Sequence, residues 1–562
     1  MGPVVLARPV GPTMGVMAVW RAFAQPLRYA ALGAGALPIL AFPKLNLEFL
    51  GWCGLVPGIL IMRGAPSARE AAVRGWWLGA GFFLAALYWM LPNIGPGLLL
   101  IAVVFGALGT GFGVAAWALL RAPLRPARAL AALVVLPSYW VFTEWARSWQ
   151  GFGGPWDVLG ASQWQHPAVL ALAAVGGAWL ISFALIAANT GIAILLLARG
   201  MAVRATGAAG FAVALAAGPL AFALSTTVPP VRHVTVALVQ PGITNGENQR
   251  VDASLQLSAR LTRPGGLRGV IPPGQPDAAR PDLIVWGESS VGTDVEREPA
   301  LLQQIKRLAA DTGAQVLVNQ DASRPGGARS KVALLIGPHG IVGSYTKTRL
   351  VPFGEYIPLR GALGWIAGIS QAASSNMVPG DGAHLIRATD RLGRPLPLGV
   401  LICFESAFPD MSRVDADLGA QLIVYQTSDS TFQRSWAPAQ LASLSAVRAA
   451  ETGRPVVQAA LTGDTAAFDA RGRQLALMSA QQRGLTVVRL GLPPATARTP
   501  YDQLGDYLPW TATAITALAA ITGYLMVRRA RGGRVPWGGN PRRARSVSTV
   551  GASSGKCREG QH

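Results

Sequence analysis

One thiol in this chain stands where a nucleophile would. Residues 397–402 are an apolar, largely β-branched run that stops at Cys403, with Phe404, Glu405 and Ser406 following. A side chain at the end of such a strand lies at a sheet edge, where a reacting group can reach it. Two upstream segments have the same form. The strand-like run 282–287 ends at Glu288, and the loop that begins at Tyr345 carries Lys347 and Glu355. A carboxylate, an ammonium and a thiol at strand ends make a nucleophile with its own base and its own cation. Singly, each has a plainer explanation: free cysteines are among the most buried residues, and lysines are usually solvated. Their joint occurrence, each in an apolar strand-end setting, points to chemistry.

The elements that position them belong to a membrane protein. Of 562 residues, 51% are hydrophobic and only 14% are charged, against roughly 25% charged in soluble domains. The net charge of +21 does not indicate nucleic acid, because the arginines sit in short loops between apolar runs and in the C-terminal tail. Cys53, Cys403 and Cys557 are too scattered for a disulfide framework. The histidines show no metal-ligand spacing, so neither a metal nor another cofactor is expected. No cleavable signal is expected either, since the first apolar run begins near Tyr29 without a small-residue cleavage site.

Apolar runs fall at about 28–43, 48–62, 75–92, 97–120, 128–146, 168–198, 207–226 and 508–527, against the roughly 20 residues that cross a bilayer. Basic residues mark alternate connections: Arg63, Arg69 and Arg74; Arg121, Arg125 and Arg128; Arg199 and Arg204; Arg528, Arg529 and Arg531. The connection 91–96 has none, while Lys44 and Arg147 depart from the alternation. Eight spans with basic loops inside place both termini in the cytoplasm and residues 228–507 outside. The expected organisation is a cytoplasmic segment 1–27, seven spans within 28–227, an extracytoplasmic domain 228–507, an eighth span 508–528 and a disordered basic tail 529–562. Within 228–507, strands are expected at 233–240, 282–287, 315–319, 332–337, 397–402, 421–426, 455–459 and 485–490, with helices at 299–312 and 437–452. That alternation predicts an α/β domain, and the Gly- and Pro-rich stretch 264–281 reads as a loop insertion.

Trp286-Gly287-Glu288, the run 347–358 (KTRLVPFGEYIP) and Ile402-Cys403-Phe404-Glu405 resemble the Glu–Lys–Cys signatures of the nitrilase superfamily. With the membrane spans, the runs 448–455 and 462–466, and Glu144-Trp145 with residues 151–156, the chain is more narrowly similar to bacterial apolipoprotein N-acyltransferases. The resemblance covers about residues 28–528. It implies an αββα sandwich for the outer domain and a multi-pass enzyme of the bacterial cytoplasmic membrane that works as a monomer. Glu288 would be the general base and Cys403 the nucleophile that takes an acyl chain from a phospholipid. Lys347 and the backbone N–H of Phe404 would stabilise the oxyanion, Glu355 would hold Lys347, and Glu405 would organise the loop. The acceptor would be the amine of a diacylglyceryl-modified apolipoprotein. Aromatic residues Trp149, Phe152, Trp156 and Trp164, and Trp365 in a second apolar loop, would meet lipid at the outer interface.

The chain departs from the family pattern at Phe404, where tyrosine is common, and at Thr431, Gln433, Leu441 and Lys331. These positions bear on substrate loops rather than on the Glu–Lys–Cys core. A different enzyme class, a membrane-tethered amidase hydrolysing C–N bonds of a small amide, would use the same three residues with water as acceptor. It would leave the membrane spans without a role.

Overall fold

The computed structural model describes residues 26–532 apart from 226–227, 243–245, 264–265, 267–268, 273–279, 369–375, 431 and 433. The expectations for residues 1–25, most of the insertion 264–281, Thr431, Gln433 and the tail from 533 lie outside the described residues. Among the described residues, five helices are long and apolar enough to cross a membrane: Gly97–Leu120, Pro126–Arg147, Ala173–Leu197, Met201–Leu224 and Tyr507–Arg529. A sixth crossing arises if Ala68–Ala86 and Tyr88–Ile94, bent by 57°, count as one span. The runs expected at 28–43 and 48–62 are shorter pieces. The helix Pro26–Ala36 gives way to a 3₁₀ turn Leu37–Ala41, and Phe49–Cys53 is followed by Val56–Arg63. Pro38 and Pro57 stand at the start of the second piece in each case, where a missing N–H costs nothing.

Two arginines read as loop charges are structural. Arg74 is buried within the helix Ala68–Ala86 and bonds Glu70 at 3.1 Å, and Glu70 also receives Arg28 at 2.6 Å. Arg147, which broke the alternation, is buried in an ion pair with Asp157. Neither is available as a topology signal, because its charge is matched inside the protein.

Among the described residues, the polar half forms two six-stranded sheets. The first has the order β12-β1-β2-β3-β4-β5 and the second β11-β10-β9-β8-β7-β6. The strands are β1 Arg232–Gln240, β2 Leu283–Trp286, β3 Gln315–Ser323, β4 Arg329–Gly337, β5 Gly340–Thr346, β6 Ile386–Thr389, β7 Pro395–Ile402, β8 Leu422–Thr427, β9 Val456–Ala460, β10 Thr465–Phe468, β11 Gln474–Met478 and β12 Gly484–Leu492. Strand periodicity sorts the side chains. Val236, Leu238, Leu283, Val285 and Leu317 face the shared core with Val400, Val424 and Val457. Ala237, Val239, Ile284, Trp286, Val316 and Val318 face outward onto Ile305 and Leu308 of the helix Pro299–Thr312. Helices thus cover the outer faces of paired sheets, the αββα arrangement.

The helix Ala437–Thr452 on the second sheet is buried along almost its whole length, with Gln440, Arg448 and Glu451 in the buried set. One side packs on β9 and β10, and the other meets the helix Ala173–Leu197. That membrane helix breaks at Gly176 and Gly177, where φ is +69° at Gly177, a conformation only glycine adopts cheaply. Glu451 Oε1 accepts the backbone N–H of Ala178 just after the break at 2.8 Å.

Candidate active site

The three strand ends read from the sequence come together. β7 ends in a 3₁₀ turn Cys403–Ala407, and Cys403 itself has φ +53°. A non-glycine residue in the left-handed region is strained, and such strain concentrates at functional sites. Cys403 keeps part of its surface accessible, while Glu288, Lys347 and Glu355 are buried. The charged groups acting on the thiol are Glu288, Lys347, Asp429 and Glu355. Burial and the charge of Glu288 push the thiol well above its ordinary value, with Lys347 pulling the other way. The resting nucleophile is therefore a thiol that needs a base.

Lys347 donates to Glu355 Oε1 at 2.7 Å and to Glu288 Oε1 at 3.4 Å. Burial works against its ammonium, and Glu288 and Glu355 override it, holding the group well above the usual lysine range. Glu355 is fixed in turn, its Oε2 accepting the Val351 N–H at 2.8 Å. This buried lysine stays a cation aimed at the site, which is what a developing oxyanion requires.

Glu405 ties the nucleophile turn to the lysine loop. Its Oε2 accepts the Ile402 N–H at 2.8 Å, and its Oε1 accepts the N–H groups of Thr348 (2.7 Å) and Arg349 (2.9 Å) and the hydroxyl of Tyr345 (3.0 Å). Phe404 is buried edge-on against Phe408, ring centroids 4.9 Å apart.

Glu288 is held from across the sandwich. Its N–H donates to Thr427 O at the end of β8 at 3.1 Å. Gln426 Nε2 donates to Trp286 O at 2.9 Å, and Asn319 Nδ2 donates to Gln426 Oε1 at 3.2 Å. A Cβ on Gly287 would sit 2.0 Å from the Leu461 nitrogen, so the residue before the carboxylate must be glycine for the sheets to close. Sequence reasoning missed Asn319, Gln426 and Asp429. The first two were visible only as amides inside otherwise apolar strands. Asp429 is buried, and burial, Asp464 and Glu288 push its carboxyl well above the ordinary range.

The aromatic residues divide. Trp149 and Phe152 are exposed and meet edge-to-face at 5.1 Å. Trp156 instead turns toward the catalytic half, donating to Gln440 Oε1 at 2.8 Å and packing on Trp89. Trp164, expected at the interface, is buried and reaches Asn46 Oδ1 at 3.2 Å. Trp365 is 63% exposed on the turn Gly364–Gly368, close in sequence to Leu359 at 80%. Neither side chain belongs to a packed core.

Residues 34–191 match the apolipoprotein N-acyltransferase N-terminal domain, and residues 235–497 match the carbon-nitrogen hydrolase family. The apolipoprotein N-acyltransferase of Azotobacter vinelandii is 30% identical over 531 residues, covering 90% of this chain and 95% of that protein. The chain belongs to the apolipoprotein N-acyltransferase family. The enzyme of the same name from Agrobacterium fabrum is 30% identical over 519 residues (88% of this chain, 91% of that protein). That from Geobacter metallireducens is 29% identical over 527 residues (88% and 94%). Family membership covers both halves, so the apolar helices and the Cys403 site belong to one enzyme, a membrane-embedded acyltransferase on a nitrilase-like fold.

Proposed function

We propose that this enzyme N-acylates lipoproteins by carrying an acyl chain on Cys403. Glu288 takes the thiol proton as Sγ attacks the ester carbonyl of a phospholipid. The oxyanion forms against Lys347 and the N–H of Phe404. The carbon–oxygen bond then breaks, and the departing lysophospholipid oxygen receives the proton from Glu288. The N-terminal amine of a diacylglyceryl-modified lipoprotein attacks the thioester at the same oxyanion site, Glu288 takes the amine's proton, the carbon–sulfur bond breaks, and that proton passes to sulfur. The carrying observation is Lys347, buried between two carboxylates beside a strained, partly accessible thiol.

The alternation of arginine-rich connections, with Arg74 set aside, supports eight spans, cytoplasmic termini and an extracytoplasmic site. Exposed Trp149, Phe152 and Trp365 suit substrates that arrive in the bilayer. The test is intact mass spectrometry after incubation with phospholipid and no acceptor. A hydroxylamine-labile gain of one acyl chain, absent in Cys403→Ala, is the expected result. No adduct, with turnover of small amides instead, would overturn acyl transfer in favour of the amidase.

A further inference from the structure

Lys347 is not the only lysine turned toward Glu288. Lys331 lies on β4 directly opposite Asp321 of β3 in the antiparallel ladder. Its Nζ is 2.7 Å from Asp321 Oδ1 and 4.0 Å from Glu288 Oε1, with the side chain 13% exposed. It also donates to the hydroxyl of Ser289, which in turn donates to Asp321 Oδ1 at 3.1 Å. Ser289 follows Glu288 directly and has φ +52°, held there in part by the bond from its N–H to Asn319 Oδ1 at 2.9 Å.

The result is a symmetric setting. Each lysine has its own carboxylate at 2.7 Å, Glu355 for Lys347 and Asp321 for Lys331, and each reaches Glu288 Oε1 at a longer distance. Glu288 is the carboxylate that belongs to neither close pair. Two ammoniums facing one oxygen fix the direction of the carboxylate, while each keeps its close partner elsewhere.

We propose that Lys331, anchored by Asp321, is a positioning residue that orients the Glu288 carboxylate for the thiol proton. This rests on the reading of Glu288 as the base. Among the described residues, the charged or titratable groups around Glu288 are Lys347 and Glu355 from the loop after β5, Lys331 from β4 with Asp321 behind it, Cys403 after β7 and Asp429 after β8. Glu288 and Asp321 together override burial and hold Lys331 above the usual lysine range, so it stays a cation wherever the enzyme works.

The experiment follows single-turnover adduct formation on the full-length enzyme across concentrations of dioleoylphosphatidylethanolamine in detergent micelles. In Lys331→Met the maximal rate falls about tenfold while the half-saturating donor concentration stays at the wild-type value. Lys331→Gln, which keeps a polar contact to Ser289, shows the same split if the methionine variant fails to fold, and Lys331→Arg restores most of the maximal rate. An unchanged maximal rate in the methionine and glutamine variants, or an arginine variant as slow as they are, would overturn the proposal while Glu288→Gln remains inactive. Wild-type adduct formation by Glu288→Gln would overturn the reading of Glu288 as base, and the proposal with it.

Discussion

Glu451 accepts the backbone N–H of Ala178 at 2.8 Å, so a carboxylate of the catalytic half closes the break in a membrane helix. Its other oxygen lies 2.7 Å from Arg448, and both side chains are fully buried. Buried charges of this kind stabilise only as a set, because losing one partner strands the other. Glu451→Ala leaves Arg448 unmatched and the Ala178 N–H without its acceptor. The expected cost is about 3–5 kcal/mol, read as a lowered unfolding midpoint in detergent. Glu451→Gln keeps an acceptor for Ala178 and should fall between the two.

Lys347→Arg should lose most of the acylation rate although the charge is kept. The ammonium is a compact point charge, buried 2.7 Å from one carboxylate and 3.4 Å from another, and a planar guanidinium does not fit that geometry. Single-turnover adduct formation measures it. Wild-type rate in the arginine variant would remove Lys347 from the oxyanion role.

Alkylation of Cys403 should show a high, movable pH midpoint. Iodoacetamide reacts with the thiolate, and burial and Glu288 push this thiol up while Lys347 pulls it down. Labelling therefore rises only on the alkaline side in the wild type. Lys347→Met takes away the pull and moves the midpoint further up, and Glu288→Gln moves it down. Peptide mapping separates Cys403 from Cys53 and Cys557. Identical midpoints in all three proteins would show that the thiol does not feel these charges.

Trp365→Ser should weaken turnover on donors presented in vesicles much more than on a short-chain donor dissolved as monomers. The ring is 63% exposed, and its expected work is contact with a lipid surface rather than support of the fold. Equal losses on both donors would assign Trp365 to the fold.

In the carbon-nitrogen hydrolase half, the strands inside the sheets were legible apart from β10, and so was β12 at the edge of the first sheet. The runs 233–240, 282–287 and 397–402 correspond to β1, β2 and β7, and the helices 299–312 and 437–452 have the observed bounds. The glycines beyond them, Gly313 and Gly453, take φ +70° and +62°, which is why the pattern stopped where the helices do. β5, β6 and β11 went unread at the ends of their sheets, where a strand needs no continuous apolar face, and β10, a strand of only 4 residues, went unread as well. β5 shows this, with Ile341 and Val342 exposed beside glycine and serine. Glu288, Lys347 and Cys403 were readable because each ends a strand or begins the loop after one. Asn319, Gln426 and the contact of Lys331 with Glu288 depend on which strands lie side by side and which sheet faces which, and local periodicity carries no trace of either. The membrane half was legible in its long runs and misleading at Arg74, Arg147 and Trp164, which are satisfied inside the fold by Glu70, Asp157 and Asn46.

The burial of helix Ala437–Thr452 on both sides has a practical consequence. A protease that severed the peptide link between the halves would not release a working catalytic fragment. The two pieces would stay together as tightly as subunits of a permanent complex, since the surface between them is interior. Expressed alone, residues 228–507 would present that surface to water and precipitate. The membrane half is in this sense a folding partner carried on the same chain, and truncations made to obtain a soluble enzyme remove part of the core.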